Sequence, residues 1–459
     1  MTTTAPLHRS TRGAFALLGA VQVTLIFTLA AIAVPLPRIG DEFDLRREEL
    51  ILLSAAYGLT FAGLLLLGGR LADRHGGRRT LTMGLLLFGL ASAAAPLAPG
   101  YDALLAARFA QGAGAALIAP AAMAVLRTVF PSPAAYGGVM ATWGGLSVLG
   151  ATAGNLLSGV ISALLSWRWA FAVPLAVTVA ALALAPRLLP AAPGKPPVHI
   201  GYEPVERPAR PRLDLPGALL ATVGLISVSY GLVLTDAWPW ASGRVLGPVA
   251  AGAVLLAVFV RVEQRAPDPL LPPRFLLDGR RALGLAATAL TAAGTATVFV
   301  LFSLHLQDER GWSALRTSAA FVPFAVALIA SGRVVGRLIG RYGPAVVTGG
   351  GLATGAAGLA LLALFGLDSG VPYAYGVLPG FVLLPAGAAA SFAGAAVLAT
   401  DRVPAERTGL AGGVHNMAME TGPTVVFALV LSVGSDAASL AATAALFGTA
   451  ALTLRHARP

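Results

Sequence analysis

Cysteine is missing from all 459 residues, and lysine occurs once, at Lys195. The first absence excludes disulfides and thiolate metal centres. Charge is sparse as well: 12% of residues are Asp, Glu, Lys or Arg against 56% hydrophobic, and the mean hydropathy is +0.77. That balance leaves too little polar surface to coat a soluble globule of this size. Catalytic signatures are also lacking. The chain has no G-x-S-x-G nucleophile elbow, no H-E-x-x-H helix, no P-loop and no carboxylate cluster suited to a metal. The sequence therefore predicts no enzyme, no metal, no cofactor and no use of ATP.

What is present is a series of apolar runs, each long enough to cross a hydrocarbon core about 30 Å thick as a helix. They fall at 14–36, 49–68, 80–97, 103–126, 136–164, 169–189, 215–235, 246–262, 282–304, 317–338, 345–366, 371–398, 408–432 and 437–454. They are far longer than the roughly 10-residue strands of a membrane barrel. The expected fold class is an all-α polytopic membrane protein with 14 spans. With the N-terminus inside, 24 of the 32 Lys and Arg residues fall on the inner side, 7 on the outer side and one, Arg108, within a helix. This asymmetry places both termini in the cytoplasm and the chain in the inner (plasma) membrane. The net charge of +11 is spread over many inner loops, where it meets anionic headgroups, and no basic domain exists to bind nucleic acid. Arg9 and Arg12 precede an apolar stretch too long for a signal peptide, so an uncleaved first helix is expected.

Residues 190–216 hold eight prolines and the lone lysine, and read as a solvated inner linker. The division is 1–189, a six-helix bundle; 190–214, the Pro-rich cytoplasmic linker; 215–262, a two-helix insertion; 263–281, a second cytoplasmic linker; and 282–459, another six-helix bundle. A repeat supports it: GRLADRHG at 69–76 recurs as GRLIGRYG at 336–343, each time at the inner end of the second helix of its half, with Gly340 where the first copy has Asp73. Duplication accounts for the matching position better than chance does. In the first copy glycines allow a tight turn, and Asp73 can neutralise an arginine or sit at the positive end of a neighbouring helix. Topology alone would explain the arginines, but not Asp73 or the glycine spacing.

Gly69, Leu71, Ala72, Asp73, Arg74, Gly76 and Arg78 resemble the loop signature of the major facilitator superfamily. LLAARFAQGAGAA resembles its helix 4 signature through Leu104, Arg108, Gln111, Gly112, Gly114, Ala115 and Ala116. SWRWAF (166–171), 212–232 and 305–323 are similar to the fourteen-helix drug:proton antiporter branch. The resemblance covers nearly the whole chain. It implies two pseudo-symmetric six-helix bundles plus two central helices, and a carrier that exposes a central cavity to each side in turn.

Three positions depart from that branch. The helix 5 antiporter motif stands as Gly150, Gly154, Asn155, Ser158 and Gly159, with Asn155 for proline and Ser158 for glycine. Its small-residue face, repeating every four residues, still predicts close packing. The acid usual in helix 1 is replaced by Thr28. In helix 13 stands Glu420, the only acid placed deep in a span, thirteen residues or roughly 20 Å from the inner end near Arg407. A lone carboxyl there can take up and release a proton as access alternates; the alternative is a permanently neutral Glu420 bonded to Asn416. The matching arginine of the family is linked to proton transfer, which makes Arg108 a coupling candidate beside a purely structural role. His415 is a weaker one, about 140° round the helix from Glu420. Gln111, Asn155 and Asn416 are the cavity candidates.

The resulting expectation is a monomeric, proton-coupled exporter of a small hydrophobic or amphipathic compound, such as an antibiotic, in contact with lipid. A facilitator or importer of a metabolite, or a non-transporting receptor on the same fold, are the alternatives.

Overall fold

The computed structural model describes residues 7–32, 35–190, 214–236, 238–266, 269, 271, 273–312, 314–401, 403–404, 407–431 and 435–456. The Pro-rich linker between Pro190 and Asp214 lies outside them. The described residues are helical, without a strand.

The long helices are α1 Leu7–Ala30, α2 Arg47–His75, α3 Gly77–Ala94, α4 Tyr101–Val129, α5 Pro133–Leu164, α6 Ala172–Leu188 and α7 Leu215–Val233. They continue as α8 Gly243–Glu263, α9 Gly279–Leu304, α10 Val322–Tyr342, α11 Pro344–Leu361, α12 Leu378–Thr400, α13 Thr408–Leu431 and α14 Asp436–His456. Among the described residues, eleven helices are long and apolar enough to cross a membrane. The first expected span stops at Ala30 rather than at residue 36, and a short helix, Leu36–Phe43, follows. Pro35 and Pro37 lack the N–H donors that would carry α1 onward. Likewise α10 begins at Val322, after a short helix Ala314–Ala320, with Pro323 in its first turn, where a missing N–H costs nothing.

Two packing groups can be traced in the contacts, and they also meet each other directly, α10 on α5 and α13 on α2. In the first, α4 lies against α2 and α3, while α1 lies against α5 and α6. In the second, α12 lies against α10 and α11, and α9 against α13. Helices α7 and α8 pack on each other, and α7 leans on α2, where Thr222 Oγ1 donates to the carbonyl of Gly63 at 3.0 Å. Small residues set these distances. A Cβ at Gly154 would lie 2.7 Å from the carbonyl oxygen of Phe27, and one at Gly150 would lie 2.6 Å from that of Val23, so α1 and α5 touch backbone to backbone. Ser158, on the same α5 face, is fully buried. The side chain of Asn155 lies outside the described residues. Gly159 is half-buried on the neighbouring stripe.

Candidate functional site

A cavity of about 370 Å³ opens between the two groups, lined by α1, α5, α9, α10, α12 and α13. Its wall is mostly Ala, Leu, Ile and Phe, with Phe299, Phe324 and Phe392 as the large aromatics and Ser147, Thr291 and Thr295 as hydroxyls. Among the described residues Glu420 is the one ionisable side chain in the lining. Among the described residues no Arg, Lys or His forms an ion pair with it. Of the described side chains singled out in the sequence, Glu420 alone reaches this cavity.

Gln111 and Asn416, expected there, are absent from the lining. Both are consumed by interhelical hydrogen bonds. Gln111 is fully buried, its amide donating to Ser92 Oγ at 2.9 Å and its carbonyl accepting from Arg108 at 3.2 Å. Asn416 donates to the carbonyl of Gly412 and to Met123 Sδ, which ties α13 to α4 rather than to Glu420. His415 is buried behind the wall, its ring 5.2 Å from that of Phe392 and its Nδ1 3.4 Å from Thr288 Oγ1. The sequence carried no sign of the phenylalanines in the wall, because an apolar residue in an apolar helix reads alike whether it faces lipid or a cavity.

Arg108 is 1% exposed on α4. Its Nη1 donates to the carbonyl of Thr28 at 3.0 Å, and its guanidinium lies 5.1 Å from the ring centre of Tyr57. It therefore meets α1 at the residue where the resemblance led one to look for an acid, and finds a threonine carbonyl.

The two groups also close on each other at one end of the bundle, where the α2–α3 turn lies. Gly76, with φ of 87°, makes that turn, as Gly343 does with φ of 81° in the second copy of the repeat. Just before it, Asp73 Oδ1 accepts from the backbone N–H of Gly409 at 2.5 Å, and Oδ2 from that of Leu410 at 2.8 Å. These are unsatisfied donors of the first turn of α13, and a carboxylate placed there completes the helix and favours its positive end. Gly69 permits the approach, since a Cβ on it would lie 2.5 Å from the carbonyl oxygen of Gly409. Arg74 is exposed at the same end, with Arg78 half-buried in the first turn of α3. In the second copy Gly340 faces the start of α5, where Ser132 Oγ already accepts from Ala135 N–H at 3.2 Å. That helix carries its own cap, so its repeat partner needs no aspartate.

At the opposite end Glu42 joins Arg168, at 2.7 Å, and accepts from Trp167 Nε1, also at 2.7 Å. These bonds hold the Glu42 carboxyl below its ordinary range, the Arg168 hydrogen bond first and the Trp167 bond second.

Comparison with known proteins agrees with this architecture. The chain is 33% identical to puromycin resistance protein pur8 of Streptomyces alboniger over 426 residues, covering 92% of this chain and 82% of that one. It is 36% identical to cephamycin export protein CmcT of Amycolatopsis lactamdurans over 420 residues, covering 90% and 83%. Among solved structures, the proton:xylose symporter XylE superposes with a TM-score of 0.63 over 98% of this chain and 96% of that one, at 13% identity, a likeness of fold alone. The family model described as Major Facilitator Superfamily matches residues 16–427. This multi-pass helical chain, with a cavity enclosed among its helices, thus belongs to the major facilitator superfamily, whose members are transporters and not enzymes.

Proposed function

We propose that this protein is a secondary active exporter of hydrophobic or amphipathic compounds, antibiotics among them, driven by inward movement of protons. The carrying observation is the cavity between the packing groups: about 370 Å³ of mostly apolar wall with a single carboxylate, Glu420, set into it. Such a wall favours apolar bodies by desolvation rather than by a fixed hydrogen-bond pattern. The relatives named for puromycin resistance and for cephamycin export support the substrate class and the outward direction. Glu420 is the coupling residue of this reading, with Arg108 and His415 behind the wall as the next candidates.

Fourteen spans belong to the same proposal. The eleven apolar helices together with α5, α7 and α13 supply them. The α1–α6 and α9–α14 groups use the same partner scheme, α1 on α5 as α9 on α13 and α4 on α2 as α12 on α10, which supports a duplicated pair of bundles. Helices α7 and α8 are then the central insertion, and the end bearing Asp73 is cytoplasmic, with both termini on that side. In this arrangement the structure is shut toward the cytoplasm.

The test is transport. Strains lacking and overexpressing the protein are compared for sensitivity to a panel of antibiotics, and inside-out vesicles for uptake of those that differ. Uptake that rises with an imposed acid interior and collapses with a protonophore is expected. Uptake indifferent to the pH gradient refutes proton coupling, and no change in sensitivity or accumulation for any compound refutes export.

A further inference from the structure

Helix α10 has two unlike faces. Phe324 and Leu328 line the transport cavity, and Val335 and Ile339 continue their buried row. The opposite side carries Val322, Val326, Ile329, Arg333, Arg337 and Arg341, spaced by three or four residues and all exposed. In a helix that spans the membrane, an exposed row that begins with valine and isoleucine lies against lipid. The arginines continue that row, turned away from the cavity and from Glu420.

Topology accounts for Arg341, at the end of the helix, but not for all three. With 21 residues α10 is about 30 Å long, the thickness of the hydrocarbon core, and Arg333 stands about 12 Å inside Arg341 along it. The repeat does not call for Arg333 either. Arg337 and Arg341 match Arg70 and Arg74 of the first copy, whereas Arg333 matches Leu66, which is buried in an apolar cluster with residues of α7 and α13. None of the three arginines forms an ion pair among the described residues, and Arg341 lies 5.2 Å from the ring centre of Tyr342. Like charges one turn apart repel, and a guanidinium held below the headgroups draws an anion to it.

We propose that Arg333, Arg337 and Arg341 form a binding site for an anionic glycerophospholipid of the leaflet at that end of α10, cytoplasmic in the topology proposed above. The guanidiniums donate to the phosphate oxygens, and an acyl chain runs back along Ile329 and Val326. Both halves of the row are then used. A soluble phosphate would gain nothing from the apolar half, and an acidic protein cannot follow the arginines two turns into the bilayer.

Full-length protein purified in detergent is titrated with phosphatidylglycerol or with phosphatidylcholine of identical acyl chains, and bound lipid is counted by native mass spectrometry. Phosphatidylglycerol should be retained in preference. Its affinity should fall roughly 5-fold for each of Arg333→Gln, Arg337→Gln and Arg341→Gln, the contribution of one basic residue beside an anionic headgroup. Arg79→Gln, which removes an exposed arginine from the first turn of α3, should leave it unchanged. Inorganic phosphate should not displace the lipid. Equal retention of the two lipids overturns the proposal. So does a triple Gln variant that keeps the preference of Arg79→Gln, which would assign it to the general positive charge of that end, and so does displacement by inorganic phosphate, which would make the row a site for soluble anions. The three side chains are exposed, so the variants should elute as wild type does; if the triple variant does not, Arg333→Gln alone decides. No readout involves transport, so a failure here leaves the export reading standing.

Discussion

Asp73 accepts hydrogen bonds from the backbone N–H groups of Gly409 and Leu410, joining residues 336 and 337 positions apart in the sequence. One carboxylate thereby closes the turn of the first packing group onto the start of a helix in the second. On the export reading proposed above, opening that end breaks these bonds, and Asp73 then sets the balance between closed and open forms.

Asp73→Asn keeps the shape but removes the charge assistance and turns one oxygen into a donor facing an N–H. Loss of a charge-assisted bond costs about 1–2 kcal/mol here, which moves the closed-to-open ratio roughly 5- to 30-fold. Transport should fall while abundance in the membrane stays near wild type. A well-expressed Asp73→Asn protein that transports normally would show that the bond has no part in the cycle.

If Glu420 carries the coupling proton, Glu420→Gln, which cannot change protonation state, should abolish uphill efflux driven by an imposed pH gradient. Downhill exchange of substrate should survive, since it needs only the alternation of access. Glu420→Asp, which shortens the arm and keeps the acid, should retain part of the activity. Concentrative uptake by Glu420→Gln vesicles at the wild-type level would move the coupling role to Arg108 or His415.

The backbone contact between α1 and α5 predicts a contrast between glycines. Gly154→Ala drives a methyl to 2.7 Å from the Phe27 carbonyl, whereas a Cβ at Gly350 meets nothing within 4 Å. Thermal unfolding in detergent should show Gly154→Ala destabilised by roughly 1–3 kcal/mol and Gly350→Ala close to wild type. Equal midpoints would mean that the helices separate without cost.

Glu42 gives the acid limb of stability a specific source. Its folded carboxyl is held below the ordinary value of 4.5 by the bond to Arg168 and then by that to Trp167. The contribution is therefore complete above the unfolded value and disappears as pH falls through the lower, folded one. Wild type should lose stability at this end as the medium is acidified below about pH 4. Glu42→Gln should start less stable at neutral pH and show a flatter acid limb; parallel limbs would dismiss the pair as a stabilising contact.

The absence of cysteine makes orientation directly measurable. A cysteine at Ser242, on the cap of α8, should react with a membrane-impermeant thiol reagent in intact spheroplasts, and one at Pro197 only after lysis. The reverse pattern at either site contradicts fourteen spans with cytoplasmic termini.

Class and family were legible in the chain because they rest on local physics. A 20-residue apolar run has few ways to satisfy its backbone in lipid, and the Gly–Asp–Arg turn and the Arg108–Gln111 spacing survive as strings. Glu420 stood out for the same reason, as an acid deep in an apolar run. The partners of these residues were not legible, since they come from helices far away in sequence. Which backbone Asp73 caps, that Gln111 is held by Ser92 and Arg108, that Asn416 reaches Met123 and not Glu420, and which phenylalanines face the cavity are decided by how the helices are rotated against one another. That rotation is set by small-residue contacts such as Gly154 on Phe27 and Gly69 on Gly409, and an apolar sequence in which every face is hydrophobic carries no periodic signal for it.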